Sequence, residues 1–132
     1  MSRSLIYTSN ETVQALTVGA TIGLGNVIRR FGQNIRLNGN AINISGAGYY
    51  KISADVELTG TTEGTATITM LKDGVAVATR RVSLTVGAIK NVPLQAVIRE
   101  YGCCADNSSN ITFVLGGVAE SVSEVSVIVT KE

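Results

Sequence analysis

From Gly48 to Leu58 the chain alternates between apolar and polar side chains without a break. Tyr50, Ile52, Ala54, Val56 and Leu58 fall on one face, and Tyr49, Lys51, Ser53, Asp55 and Glu57 on the other. A period of two is the signature of a half-buried antiparallel strand. A shorter strand-like run from Ala41 to Ile44 precedes it, followed by a Ser-Gly-Ala-Gly turn. No catalytic constellation in the sequence is as clear as this pattern.

The 132 residues make one domain, able to bury roughly two-thirds of its unfolded surface. Apolar residues are 45% of the chain but aromatics only 5%, with no Trp, so Val, Ile, Leu and Ala must build the core. Charged residues are only 16%, which with many β-branched residues suits a sheet protein with buried or self-associating surface. A net charge of +1 offers no field to steer nucleic acid. Adjacent strand residues point to opposite faces, so neither doublet, Arg29-Arg30 or Arg80-Arg81, makes a patch alone, and both read as solvated or salt-bridged surface rather than as phosphate sites.

The N-terminal residues MSRSLIYTSNET lack the apolar core of a secretory signal, and the run from Val13 to Ile28 is too polar to cross a bilayer. The expectation is synthesis in a bacterial cytoplasm without membrane insertion. Cys103 and Cys104 are neighbours, and neighbours rarely bridge each other. With no His, a zinc site within one chain lacks ligands. The cysteines read as reduced thiols near a strand end or loop, the alternative being thiolates shared between copies on a symmetry axis.

Turn signals recur about every ten residues, the spacing of a sandwich or barrel. Strands are expected at Leu5–Thr8, at Gln14–Val18, and on both sides of Asn38-Gly39-Asn40. The long strand follows, then Thr65 to Leu71. Lys72-Asp73-Gly74 is the clearest hairpin signal, leading into Val75–Leu84. Gly87 to Asn91 reads as a loop. Pro93 should limit the next strand to an edge or a bulge. Ile111, Phe113 and Leu115 form a further inward set, and Val122 to Thr130 the last strand. The chain is expected to be all-β, an antiparallel jelly-roll sandwich of about ten strands. Residues 1–25 are expected to form an N-terminal arm with the first strands, a possible anchor, and residues 26–132 the jelly-roll core.

The segment Gly48-Tyr49-Tyr50-Lys51-Ile52, followed by Ile68-Thr69-Met70-Leu71-Lys72-Asp73-Gly74-Val75-Ala76-Val77, resembles the tumour necrosis factor and complement globular-head superfamily. The upstream GNVIRRFGQNIRLNGN is similar to its short bacterial and prophage members. The resemblance runs from about Gly25 to the C-terminus. It implies a ten-stranded TNF-like jelly roll that assembles as a homotrimer, with apolar and aromatic side chains along the axis. Tyr50 matches such a position, and Tyr49, Phe113 and Leu115 are further candidates from their strands. A physical argument also favours assembly. Val97 opposes Ile98, Val114 opposes Phe113, and Ile128 sits between Val127 and Val129. A sandwich strand has one core face, so the extra apolar groups need a second covering surface.

The usual general base at neutral pH is absent with His. Asp55 and Glu57 share a face but sit with Lys51, as on a solvated strand. Asp106, Asn107, Ser108, Ser109 and Asn110 could touch a cation, but one carboxylate is thin provision for calcium. No metal or other cofactor is expected. The resulting expectation is a non-enzymatic trimer on a particle surface: a phage or prophage head-decoration or fibre-tip protein, contacting a capsid or fibre protein or a host-surface glycan. The alternative is a bacterial cell-surface or spore-coat adhesion module. Recognition should sit on loops, with Thr61, Thr62, Glu63, Asp106, Asn107, Asn110 and Glu120 as candidates.

Overall fold

The computed structural model describes residues 3–100 and 108–132. They form eleven strands: β1 (Leu5–Asn10), β2 (Gln14–Leu16), β3 (Asn26–Phe31), β4 (Ile35–Asn38), β5 (Ala41–Ser45), β6 (Gly48–Thr59), β7 (Gly64–Lys72), β8 (Val75–Leu84), β9 (Ile89–Glu100), β10 (Ser108–Gly116) and β11 (Glu120–Lys131). One sheet runs β3-β1-β11-β6-β9, with β2 also on β11, and the other runs β4-β5-β10-β7-β8. Every pairing is antiparallel. Consecutive strands repeatedly land in opposite sheets, which makes the sandwich a jelly roll.

The alternation of β6 is realised as written. Tyr50, Ile52, Val56 and Leu58 are fully buried and Ala54 nearly so, facing Ile68, Met70, Ile111, Phe113 and Leu115 from the other sheet in one core. Aliphatic side chains fill almost all of that core, each worth about 1.5–3 kcal/mol on burial. At Lys72-Asp73-Gly74 the hairpin turns through positive φ at Asp73 (50°) and Gly74 (83°), the backbone that a two-residue loop requires.

Two expectations change. β3 was not anticipated: all six of its residues are exposed, so no alternation marks it. β9 begins at Ile89, inside the expected loop, and carries Pro93 within it; β9 ends its sheet, where a missing backbone donor is tolerated. Residues 3–25 pack into the sandwich. β1 lies between β3 and β11, and the segment after β2 hydrogen-bonds to β10 through Gly19 N to Leu115 O and Ile22 N to Phe113 O, both at 2.8 Å. Ile6, Thr8, Ile22 and Leu24 are fully buried, so this segment closes the core. Gly25 sits where it must, with φ of +77° and a would-be Cβ that would run into Ser9 O.

Candidate functional site

The outward face of the β3-β1-β11-β6-β9 sheet carries what the core does not use. Strand register sets its rows. Phe31, Leu5, Thr130, Lys51 and Val97 lie side by side across the five strands, and Arg29, Tyr7, Ile128, Ser53 and Gln95 form the next row. Tyr49 extends the first of these ends, with the Arg99 guanidinium 5.6 Å from its ring centre, within cation–π range. Phe31, Tyr49 and Val97 are each more than half exposed and Ile128 is 42% exposed. This end of the face is therefore apolar, aromatic and cationic.

The other end is acidic. Glu124 pairs with Glu57 across β11 and β6, and Ser126 with Asp55. These four residues and Asn91 line a hollow of about 300 Å³. Like charges directly opposite on paired strands repel. Among the described residues, none of the three carboxylates has an ion-pair partner, and no group of His, Cys, Asp and Glu is placed to hold a metal ion. The hollow thus concentrates negative charge that a single chain leaves unbalanced.

Of the residues expected at a trimer axis, only Tyr49 is on this face. Tyr50, Phe113 and Leu115 are fully buried inside one chain and have no surface to give to a neighbour. The Tyr50 hydroxyl donates to Ser45 O and Gly46 O, each at 2.9 Å. Burial, and secondarily the nearby Glu100 carboxylate, hold its phenol above the ordinary value of 10.0. Glu100 is itself buried and accepts from Ser109 Oγ at 2.6 Å.

The expected recognition residues do not converge. Thr61, Thr62 and Glu63 are exposed at the end of the sandwich where β6 passes into β7. Asn110 stands at the opposite end of β7, where its backbone N donates to Asp73 Oδ1 at 2.9 Å. Glu120 is not available for recognition. It is 1% exposed, and its Oε1 accepts from Thr61 N at 3.1 Å and Thr62 N at 2.7 Å, so it ties down the loop that was expected to recognise something. Asp106, Asn107 and both cysteines lie outside the described residues. Tyr7 and Phe31 were missed by sequence reasoning; Val97 and Ile128 were marked by apolar residues on both faces of their strands.

No family model and no curated protein matches the chain. Solved structures do. Murine APRIL at pH 5.0 superimposes with a TM-score of 0.76 at 12% identity, covering 98% of this chain and 99% of that one. The globular domain of zebrafish complement 1qA gives 0.71 at 8% identity, over 96% and 94%. The PRD1 vertex protein P5 gives 0.62 at 12% identity, over 98% of this chain and 72% of that chain. The fold is the TNF-like jelly roll.

Proposed function

We propose that this TNF-like jelly roll works without catalysis, as a homotrimeric structural and binding module on the surface of a phage or prophage virion, either as head decoration or as fibre tip. The observation that carries the reading is the divided outward face of the β3-β1-β11-β6-β9 sheet. Its apolar end exposes Phe31, Tyr49, Val97 and Ile128 together, as a surface awaiting a partner does. Its acidic end has no ion-pair partner among the described residues.

The same chain supplies one. Residues 74–98, which hold β8 and most of β9, contain Arg80, Arg81 and Lys90 and no carboxylate. None of these three makes an ion pair among the described residues. They lie along β8 and β9, the last strands of their sheets, with Val75, Val77 and Ile89 exposed beside them. An edge of one copy set on the face of the next is a heterologous contact, and such contacts close into rings when the rotation permits. The particle setting is supported by the fold shared with a protein named as a vertex protein; the capsid, fibre or glycan partner belongs to the proposal.

Charge reversal tests the assembly. Glu57→Lys with Glu124→Lys should abolish the three-chain mass in light scattering, as should Arg80→Glu with Lys90→Glu. Combining all four in one chain should restore it. A three-chain mass that survives both reversals would overturn this interface. For the particle setting, immunogold labelling of particles released on lysis should mark vertices or fibre tips; label confined to the cell envelope would favour the adhesion reading instead.

A further inference from the structure

A second surface lies where β3 and β4, each the last strand of its sheet, face one another across the open side of the sandwich. The register places Arg30 opposite Ile6, whose side chain is buried, so Arg30 leaves β3 on the core-ward side. There its Nε donates to Ile35 O on β4 at 2.8 Å. A bulge between Tyr7 and Thr8 sets Val27 opposite the buried Thr8, on the same side. Leu37, opposite the buried Ile42, turns inward from β4. Val27, Arg30, Arg36 and Leu37 together line a hollow of about 400 Å³.

We infer that this hollow is a binding site for a carboxylate-bearing sugar, a uronate unit of an acidic glycan. Three features fit it. The sequence between Glu11 and Asp55 contains Arg29, Arg30, Arg36 and Lys51 and no carboxylate, so neither strand that forms the hollow carries a charge to cancel its arginines. The Nε bond to Ile35 O holds the Arg30 guanidinium in place, while its terminal nitrogens make no hydrogen bond among the described residues. A planar fork fixed in this way suits a carboxylate, which it can grip with two parallel bonds. Val27 and Leu37 supply aliphatic walls for the C–H face of a pyranose ring, and the volume is within the usual range for small ligands.

An acidic peptide shares the carboxylate but fits the shape less well. Only three residues join Phe31 to Ile35, so the hollow is a notch stopped at one end, suited to a compact unit more than to a strand running through. Consecutive arginines on β3 also guard that edge against added strands. The inference rests on the proposed surface-binding role and narrows its glycan partner to an acidic one, but it does not depend on the chain being a trimer.

The test is titration of the full chain at low salt, followed by NMR of the Val27 and Leu37 methyl groups, with tri-galacturonate, the neutral galactose trisaccharide, a hexaglutamate peptide and inorganic sulfate as probes. Tri-galacturonate should shift both residues, and Arg36→Ala and Arg30→Lys should each weaken it about tenfold, with the mass in light scattering unchanged. Equal binding of the neutral sugar would overturn the inference, as would equal shifts with sulfate alone, which would mean an adventitious ion only. Hexaglutamate binding without tri-galacturonate binding would replace it with a peptide site. A chain that is monomeric yet binds tri-galacturonate would keep this site and sink the assembly.

Discussion

Tyr50→Phe separates a core tyrosine from one at a subunit contact. The ring stays and only the hydroxyl is lost. That hydroxyl donates to Ser45 O and Gly46 O. Ser45 O keeps a second donor, Asn34 Nδ2 at 2.8 Å, whereas no other donor to Gly46 O is observed among the described residues. A hydrogen bond of this kind is worth about 1 kcal/mol net, and a carbonyl stranded by its loss raises the cost, so the expected destabilisation is about 1–2 kcal/mol. For a chain of 132 residues, this lowers Tm by about 4–7 °C. Calorimetry at one fixed protein concentration reads the shift, and light scattering should show the mass unchanged.

The pH dependence gives an independent check. Burial holds the Tyr50 phenol above 10.0. In the unfolded chain the phenol ionises at its ordinary value, while the folded chain keeps its proton. The stabilisation is therefore complete below the unfolded value and is lost as pH rises from there through the raised folded value. The stability gap between wild type and Tyr50→Phe should narrow under alkali. An altered mass with unaltered Tm would refute the reasoning and return Tyr50 to an interface.

Two further outcomes follow from the packing. Deleting residues 1–25 removes the fully buried Ile6, Ile22 and Leu24, about 5–9 kcal/mol of burial against a net stability of about 5–15; far-UV circular dichroism should show loss of the fold, and a folded truncation would mean that the core closes without this segment. Glu120→Ala strands the Thr61 and Thr62 amides, at a cost of about 2–3 kcal/mol in urea unfolding, and should speed hydrogen exchange at those two amides; unchanged exchange would mean that another acceptor holds the loop.

Where period two was strong, the architecture was legible: β6, β7, β10 and β11 lie where alternation puts them. The same alternation set Tyr50 beside Ile52 and Val56 on the inward face, and Phe113 in phase with Ile111 and Leu115. Family likeness drew Tyr50 to an axis and strand position drew Phe113 and Leu115, whereas the alternation itself tells which side of a strand a residue occupies. Apolar residues on the second face identified Val97 and Ile128 for the same reason. β3 was invisible because an exposed edge strand has no buried face to write a pattern. Glu120 was misplaced because a carboxylate reads as surface unless the backbone donors waiting for it are known, and those belong to a loop some sixty residues earlier, at Thr61 and Thr62. The acidic hollow needed the register of β11 on β6, bulge included, to bring Glu124 opposite Glu57.

Sedimentation equilibrium of the intact chain over a wide concentration range tests the central claim most directly. The account predicts a single species of three 13.8 kDa chains, weakened by salt because the proposed contact sets the acidic hollow against the basic edge of a neighbouring copy. A monomer at every concentration would contradict it and leave the divided face without a partner of its own kind.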